Sequence, residues 1–375
     1  MNLSKSIDFL LENAGPVIQY RLRKEILNNL TKMEEESLVE QIYQTLNFKL
    51  VQSYVKSNGY IGSGMHSWDN WRGVKLHETP LQDGETAARL LSYYAIPKTN
   101  PIVASFVAAM RTEETLRHEF SYIPPEVERY NNRVLGLNSG YCLMALMYAM
   151  QAMLGCGDDE YALPFQSVAL KAFESILPLT SINEIKKTRQ SSAKYNYPYI
   201  EEGTYFPSQY HLEMLAYTDM WRTPENIRLM ADALNNYNAI MQGKNPIHVK
   251  IGSKYIVPAP LNMANSPIRP FRADVVDVIT YRRLLTEIAM LGVGERVYVI
   301  RESVVNIEHA IDLDGVFRWM GLDLPHNRRY SPKSVEYPTA YVDVRLEDDY
   351  KRKYAFECDL TFWAVQFLTL VSQSS

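Results

Sequence analysis

DGETAARLLSYYAIPKTNPIVASFVAAMRTEETLR, residues 83–117, decides the fold. Helical periodicity runs over residues 83–94, stops at the short connection 97–101 with a proline at each end, and resumes over residues 102–117. So brief a connection makes the two helices neighbours in a hairpin.

Reading outward, the same unit recurs. Helices are expected over 139–154 and 161–177, joined through Gly155–Gly157, over 209–220 and 223–238, with Thr223 as cap and Pro224 at the first position, and over 274–291 and 295–310. The connections between hairpins are long instead, near residues 57–82, 118–138, 190–208, 241–272 and 312–357. Loops of that length in a compact chain have structural or functional roles of their own. If long connections feed inner helices and short ones feed outer helices, the chain lays down a ring. Residues 37–56, ending at Asn58-Gly59, and residues 359–370 are left over, and pairing them closes it. The expectation is an all-α fold, an α/α toroid of five to six helical hairpins in one domain, 1–375. An N-terminal hairpin, 1–36, packs on the ring, and minor strands lie in the long loops near 248–257 and 341–344. Asn58-Gly59-Tyr60, leading to 84–91, resembles Asp314-Gly315-Val316, leading to 359–365. The inner helices start at unequal intervals, which rules out a regular solenoid.

Composition narrows the function. Hydrophobic residues make up 46% and charged residues 22% of 375, so a sizeable core is expected. With 39 basic and 43 acidic residues, a formal charge of -4 gives no global field for nucleic acid, which is not expected as a partner. No membrane span is expected, because the most apolar run, 141–154, is shorter than the roughly 20 residues a bilayer requires. The start of the chain reads as an amphipathic helix instead of an export leader, and three cysteines without paired spacing point to reduced thiols and a cytoplasmic location.

Phe9-Leu10-Leu11, residues 20–27 (YRLRKEIL), the N-G-Y-x-G turn, the tryptophan loop and the D-G-E-T-A helix together resemble the squalene-cyclase and prenyltransferase-like α/α toroids. The resemblance is with uncharacterised bacterial members and is strongest over 7–95 and 311–370. It implies the toroid, while the family's known chemistries lack their residues here. The D-x-D-D acid of the cyclases is approached only by Asp312-Leu313-Asp314-Gly315 and Leu346-Glu347-Asp348-Asp349. Cys358-Asp359 is followed by no histidine to complete a zinc thiolate site.

Two clusters could carry chemistry. The first is the loop with His66, Trp68, Asp69 and Trp71, leading to Asp83 and Glu85: imidazole and carboxylate for proton transfer, indoles for an apolar or sugar wall. Its bland reading is a tryptophan plug. The second runs from Tyr197 and Tyr199 through Tyr205 and Tyr210 to His211, whose spacing to Glu213 puts those two on opposite helix faces. Glu357, Asp359 and Trp363 begin the closing helix. The expected proton carriers are His211, His66, Asp83 and Asp359. The expected ligand contacts are Trp68, Asp69, Trp71, Glu85, Tyr197, Tyr199, Tyr205, Tyr210, Glu357 and Trp363. Neither H-x-x-x-H nor a phosphate-binding glycine loop occurs, so neither metal nor nucleotide cofactor is expected. The expected partner is a small molecule, isoprenoid-like or carbohydrate-like, processed by general acid or base chemistry or, alternatively, only bound, with protein binding as a further non-catalytic role.

Overall fold

The computed structural model describes residues 3–62, 64–65, 81, 83–112, 114–115, 143–190, 196–201, 203–241, 247–251, 253–256, 259–262, 266–272, 283–317, 345–349 and 351–374. It is mostly helical. The helices are α1 Ser4–Asn13, α2 Pro16–Arg21, α3 Lys32–Tyr43, α4 Leu46–Ser53, α5 Gly84–Tyr93, α6 Pro101–Met110, α7 Leu143–Met153, α8 Leu163–Glu174, α9 Gln209–Ala216, α10 Pro224–Ile240, α11 Thr286–Met290, α12 Tyr298–Ala310 and α13 Ala355–Gln373. None of the described helices is long and apolar enough to cross a membrane.

The chain divides into two compact units. The first comprises Met1–Phe106, Pro270–Ala289 and Val299–Ser375, the second Val107–Arg269 and Met290–Tyr298.

In the first unit the expected helix over 37–56 is two helices. Thr45 explains the break: its hydroxyl donates to Ile42 O at the end of α3 (2.6 Å) and accepts from Phe48 N at the start of α4 (3.3 Å). The hydroxyl therefore serves both helix ends. Thr31 starts α3 with a capping box to Glu34. After α2 the chain continues through one π turn, Leu22–Ile26. The helix α13 packs chiefly on α1 and on this α2–π segment, whereas α3 lies against α2 and α4 against α5. The pairing expected to close a ring is therefore not the main packing of either partner.

The two segments alike in sequence share one backbone. Residues Val55 and Ile61 form an isolated antiparallel bridge, as do Ile311 and Phe317. In each, the fifth residue is a glycine at positive φ, Gly59 (84°) and Gly315 (83°). Each turn is closed by equivalent bonds, Lys56 N to Tyr60 O (2.8 Å) and Asp312 N to Val316 O (2.9 Å). A side chain at either glycine would be strained and would also collide, at Gly59 with Ser105 O and at Gly315 with Ser6 N.

In the second unit α9 lies between α7 and α8, and α8 packs on α10. Thr223 caps α10, with Pro224 at its first position, as the sequence suggests. A four-stranded sheet, β1 Lys187–Gln190, β2 Asn196–Glu201, β3 His248–Ile251 and β4 Lys254–Ile256, is ordered β1-β2-β3-β4. Its β2–β3 pairing is parallel and the others antiparallel. The strands expected near 248–257 are present. Those near 341–344 lie outside the described residues, and β2 lies within the long connection read near 190–208, with β1 leading into it.

Candidate functional site

The helix α5 is buried on every side from Gly84 to Leu91, although it carries two charged residues. Glu85 and Arg89 sit one turn apart, and the Arg89 Nη2 donates to Glu85 Oε1 at 2.6 Å with Nε at 3.2 Å. Both side chains are only 2–3% exposed. The same carboxylate oxygen lies 3.6 Å from Nη2 of Arg283, whose Nε is 3.8 Å from Glu287. Arg283 and Glu287 repeat the one-turn spacing on the segment that becomes α11. Two carboxylates and two guanidinium groups thus alternate within the first unit. Isolated charges could not be buried there, and the alternation is what makes the burial tolerable.

Around this network the first unit places other residues expected from sequence. Asp83 is the N-cap of α5: its Oδ1 accepts from Thr86 N and from Thr86 Oγ1, both at 2.8 Å. Trp363 of α13 donates from Nε1 to Thr286 Oγ1 at 2.8 Å, beside Glu287. Its ring meets Phe271 and Phe317 with centroids 5.6 and 5.7 Å away, so it joins an aromatic cluster. Asp359 is fully buried on α13, and Glu357 is half-buried in its first turn. Beside Asp359, burial pushes the Cys358 thiol up to about 12, further assisted by Glu347, which keeps it protonated at neutral pH. His66, Trp68, Asp69 and Trp71 lie outside the described residues.

The remaining expected residues belong to the second unit. His211 is fully buried and completes a capping box at the start of α9: its Nδ1 accepts from Ser208 N at 3.1 Å. That bond puts the ring proton on Nε2, which has no hydrogen-bond partner among the described residues. The ring stacks on Phe165 at 5.9 Å. Burial lowers its pKa to about 3, so His211 is neutral at physiological pH. Glu213 bonds instead to Gln209 (2.6 Å), in keeping with the helical spacing that separates it from His211. The ring of Tyr205 is covered by Lys171 at 4.5 Å, Tyr210 is half-buried, and Tyr199 stands on the sheet in β2 opposite Lys187. The backbone of Tyr197 pairs with that of Arg189.

The structure therefore divides the expected residues between two units, with Asp83, Glu85, Glu357, Asp359 and Trp363 in the first. Sequence reasoning found Glu85 and missed Arg89, Arg283 and Glu287. The signal was present as E-x-x-x-R at 85–89 and R-x-x-x-E at 283–287, opposite charges at a spacing of one helical turn. Among the described residues no group of three or more His, Cys, Asp or Glu converges as metal ligands would. Comparison of the chain with family models, with curated proteins and with solved structures finds no match.

Proposed function

We propose that this chain is a small-molecule enzyme, an α/α toroid of the squalene-cyclase and prenyltransferase-like type that works in the cytoplasm by general acid and base chemistry. The observation that carries the reading is the buried Glu85–Arg89–Arg283–Glu287 network. A core that had only to be stable would be served as well by apolar side chains, because a buried ion quartet adds little net stability. Fixed carboxylate acceptors and guanidinium donors at low dielectric suit a site that grips hydroxyl groups and stabilises developing charge. That polarity favours a carbohydrate-like substrate over an isoprenoid. In this reading Glu85 and Glu287 exchange protons with substrate hydroxyls, Asp359 is a further acid of the same unit, and Asp83 fixes the start of α5. Of the residues expected from sequence ahead of α5, His66 is a proposed proton carrier and Trp68, Asp69 and Trp71 are proposed ligand contacts. His211, neutral and engaged as a cap, is left a structural role.

The test is product analysis after incubation with pooled sugars, polyols and prenyl alcohols, for the parent chain and for Glu85→Gln and Glu287→Gln. A product formed by the parent and lost at least about a hundredfold in both variants, with unchanged circular dichroism, supports the proposal. A compound that is bound but recovered unchanged, with equal affinity in all three proteins, rejects catalysis and leaves a binding module.

A further inference from the structure

The two faces of the sheet in the second unit differ sharply. Ile200 and Val249 are fully buried on one face. Register puts Lys187 opposite Tyr199, Tyr199 beside His248, Glu201 beside Lys250 and Lys250 opposite Tyr255, so all of these share the other face. There the side chains are exposed or half-buried. The rings of Tyr199 and Tyr255 meet edge to face at 5.1 Å. The guanidinium of Arg189 lies 4.6 Å over the Tyr255 ring, and the Lys250 ammonium 5.8 Å over that of Tyr199. Because Arg189 is on β1 and Tyr255 on β4, their side chains reach towards each other across the two intervening strands. Lys187 pairs with Glu201 at 2.9 Å, whereas Arg189 and Lys250 form no ion pair among the described residues.

The geometry points to a binding site for single-stranded nucleic acid on this face, with bases stacking against the Tyr199 and Tyr255 rings and the Arg189 guanidinium, and phosphates held by Lys187, Arg189 and Lys250. Three observations carry it. Among the described residues the face has three cations and one carboxylate, in a chain whose acids outnumber its bases, so the positive charge is local and complementary to a polyanion. Half-exposed tyrosine rings and an exposed guanidinium offer π surfaces to unpaired bases, which stack without regard to sequence. Four strands span about 15 Å, from the roughly 4.8 Å strand spacing, and a sheet of four strands accommodates two or three stacked bases. The overall charge of -4 excludes long-range steering but not a contact patch of this size. An acidic polysaccharide would satisfy the cations yet make little use of the tyrosine rings and the guanidinium.

The experiment is fluorescence anisotropy of labelled 12-nucleotide oligo-U and oligo-dT with the full chain, at 50 and 200 mM salt. Binding is expected to weaken about ten- to twentyfold between the two salts, as about three phosphate contacts dictate. A duplex of the same length should bind more weakly. Tyr255→Ala and Arg189→Glu should each lower affinity about tenfold or more with unchanged circular dichroism, and Arg189→Glu, at an exposed position, keeps the test valid if the tyrosine variant misfolds. Absence of an anisotropy change, equal binding by Arg189→Glu, equal binding of the duplex, or binding of a uronic-acid oligosaccharide but not of either oligonucleotide would each overturn the proposal. These outcomes do not involve Glu85 or Glu287.

Discussion

His211 shows how a residue type suggestive of catalysis can be put to structural use. Its imidazole caps α9 and is stacked and buried, and the resulting pKa of about 3 lies below the roughly 6.5 of an unfolded histidine. The unfolded chain therefore takes up a proton between those values that the folded chain refuses. The stabilisation from a neutral His211 is complete above pH 6.5 and is lost as pH falls towards 3, at roughly 1.4 kcal/mol per pH unit. In His211→Phe the ring contact survives and this dependence disappears. Urea unfolding should show the variant less stable by about 1–2 kcal/mol at pH 7.5, the cap being lost, and equal or more stable by pH 4.5. A stability difference independent of pH would contradict the assignment. Nothing in the sequence distinguishes this histidine from a proton carrier, since burial and the Ser208 contact exist only once α9 is packed. The same limit hid Arg283 and Glu287, whose spacing is visible but whose convergence with Glu85 is tertiary.

At the scale of elements, most helices were legible because periodicity and end signals agreed. Thr223-Pro224 begins α10, Asp83 begins α5, and Asn58-Gly59 marks a real turn. The failures have specific causes. The apolar spacing of Leu38, Ile42, Leu46 and Leu50 runs through the α3–α4 break without a fault, so periodicity alone gives one helix. The hydroxyl of Thr45 serves both sides of the break, and Asp348 accepts from Leu46 N at the start of α4. Thr45→Ala is expected to cost about 1 kcal/mol by denaturant titration, whereas Thr45→Ser should cost only a few tenths because the hydroxyl is kept. Equal losses in the two variants would mean that the methyl group, not the cap, matters. The strand β2 is not legible in sequence: Pro198, which cannot donate to a ladder, lies within it, although its carbonyl faces His248 Nδ1 at 3.3 Å. The likeness of the Gly59 and Gly315 segments, by contrast, reported a shared backbone, because positive φ and close approach at the glycine restrict residue choice in both.

Across the whole chain, distant segments tie the first unit together. Glu347, buried, accepts from Gly15 N at 2.7 Å and from Arg352 at 2.6 Å, and Arg352 also donates to Asn13 O. Asp348 accepts from Leu46 N and from the hydroxyl of Tyr94, and Lys5 donates to Leu313 O at 2.7 Å. A methyl group at position 15 would stand 2.5 Å from Glu347 Oε2, and the carboxylate cannot yield without losing both partners. Gly15→Ala should therefore destabilise the chain by about 1–3 kcal/mol. Hydrogen exchange should accelerate in α1, α2 and α13 together. Combined with Glu347→Ala, the loss should not exceed that of the larger single change, since both break one contact. Additive losses would show the contact to be incidental.

The tie between Gly15 and Glu347 also has a bearing on time. Its two partners are 332 residues apart, so during synthesis the hairpin of α1 and α2 is made long before Glu347 and must wait for its acceptor. At ordinary elongation rates the wait is roughly 15–65 s. Most of the second unit is one continuous stretch, Val107–Arg269, whose contacts can form as it emerges. Residues 107–269 are thus able to fold while α1 and α2 still lack their partner, so a segment made early reaches its place late.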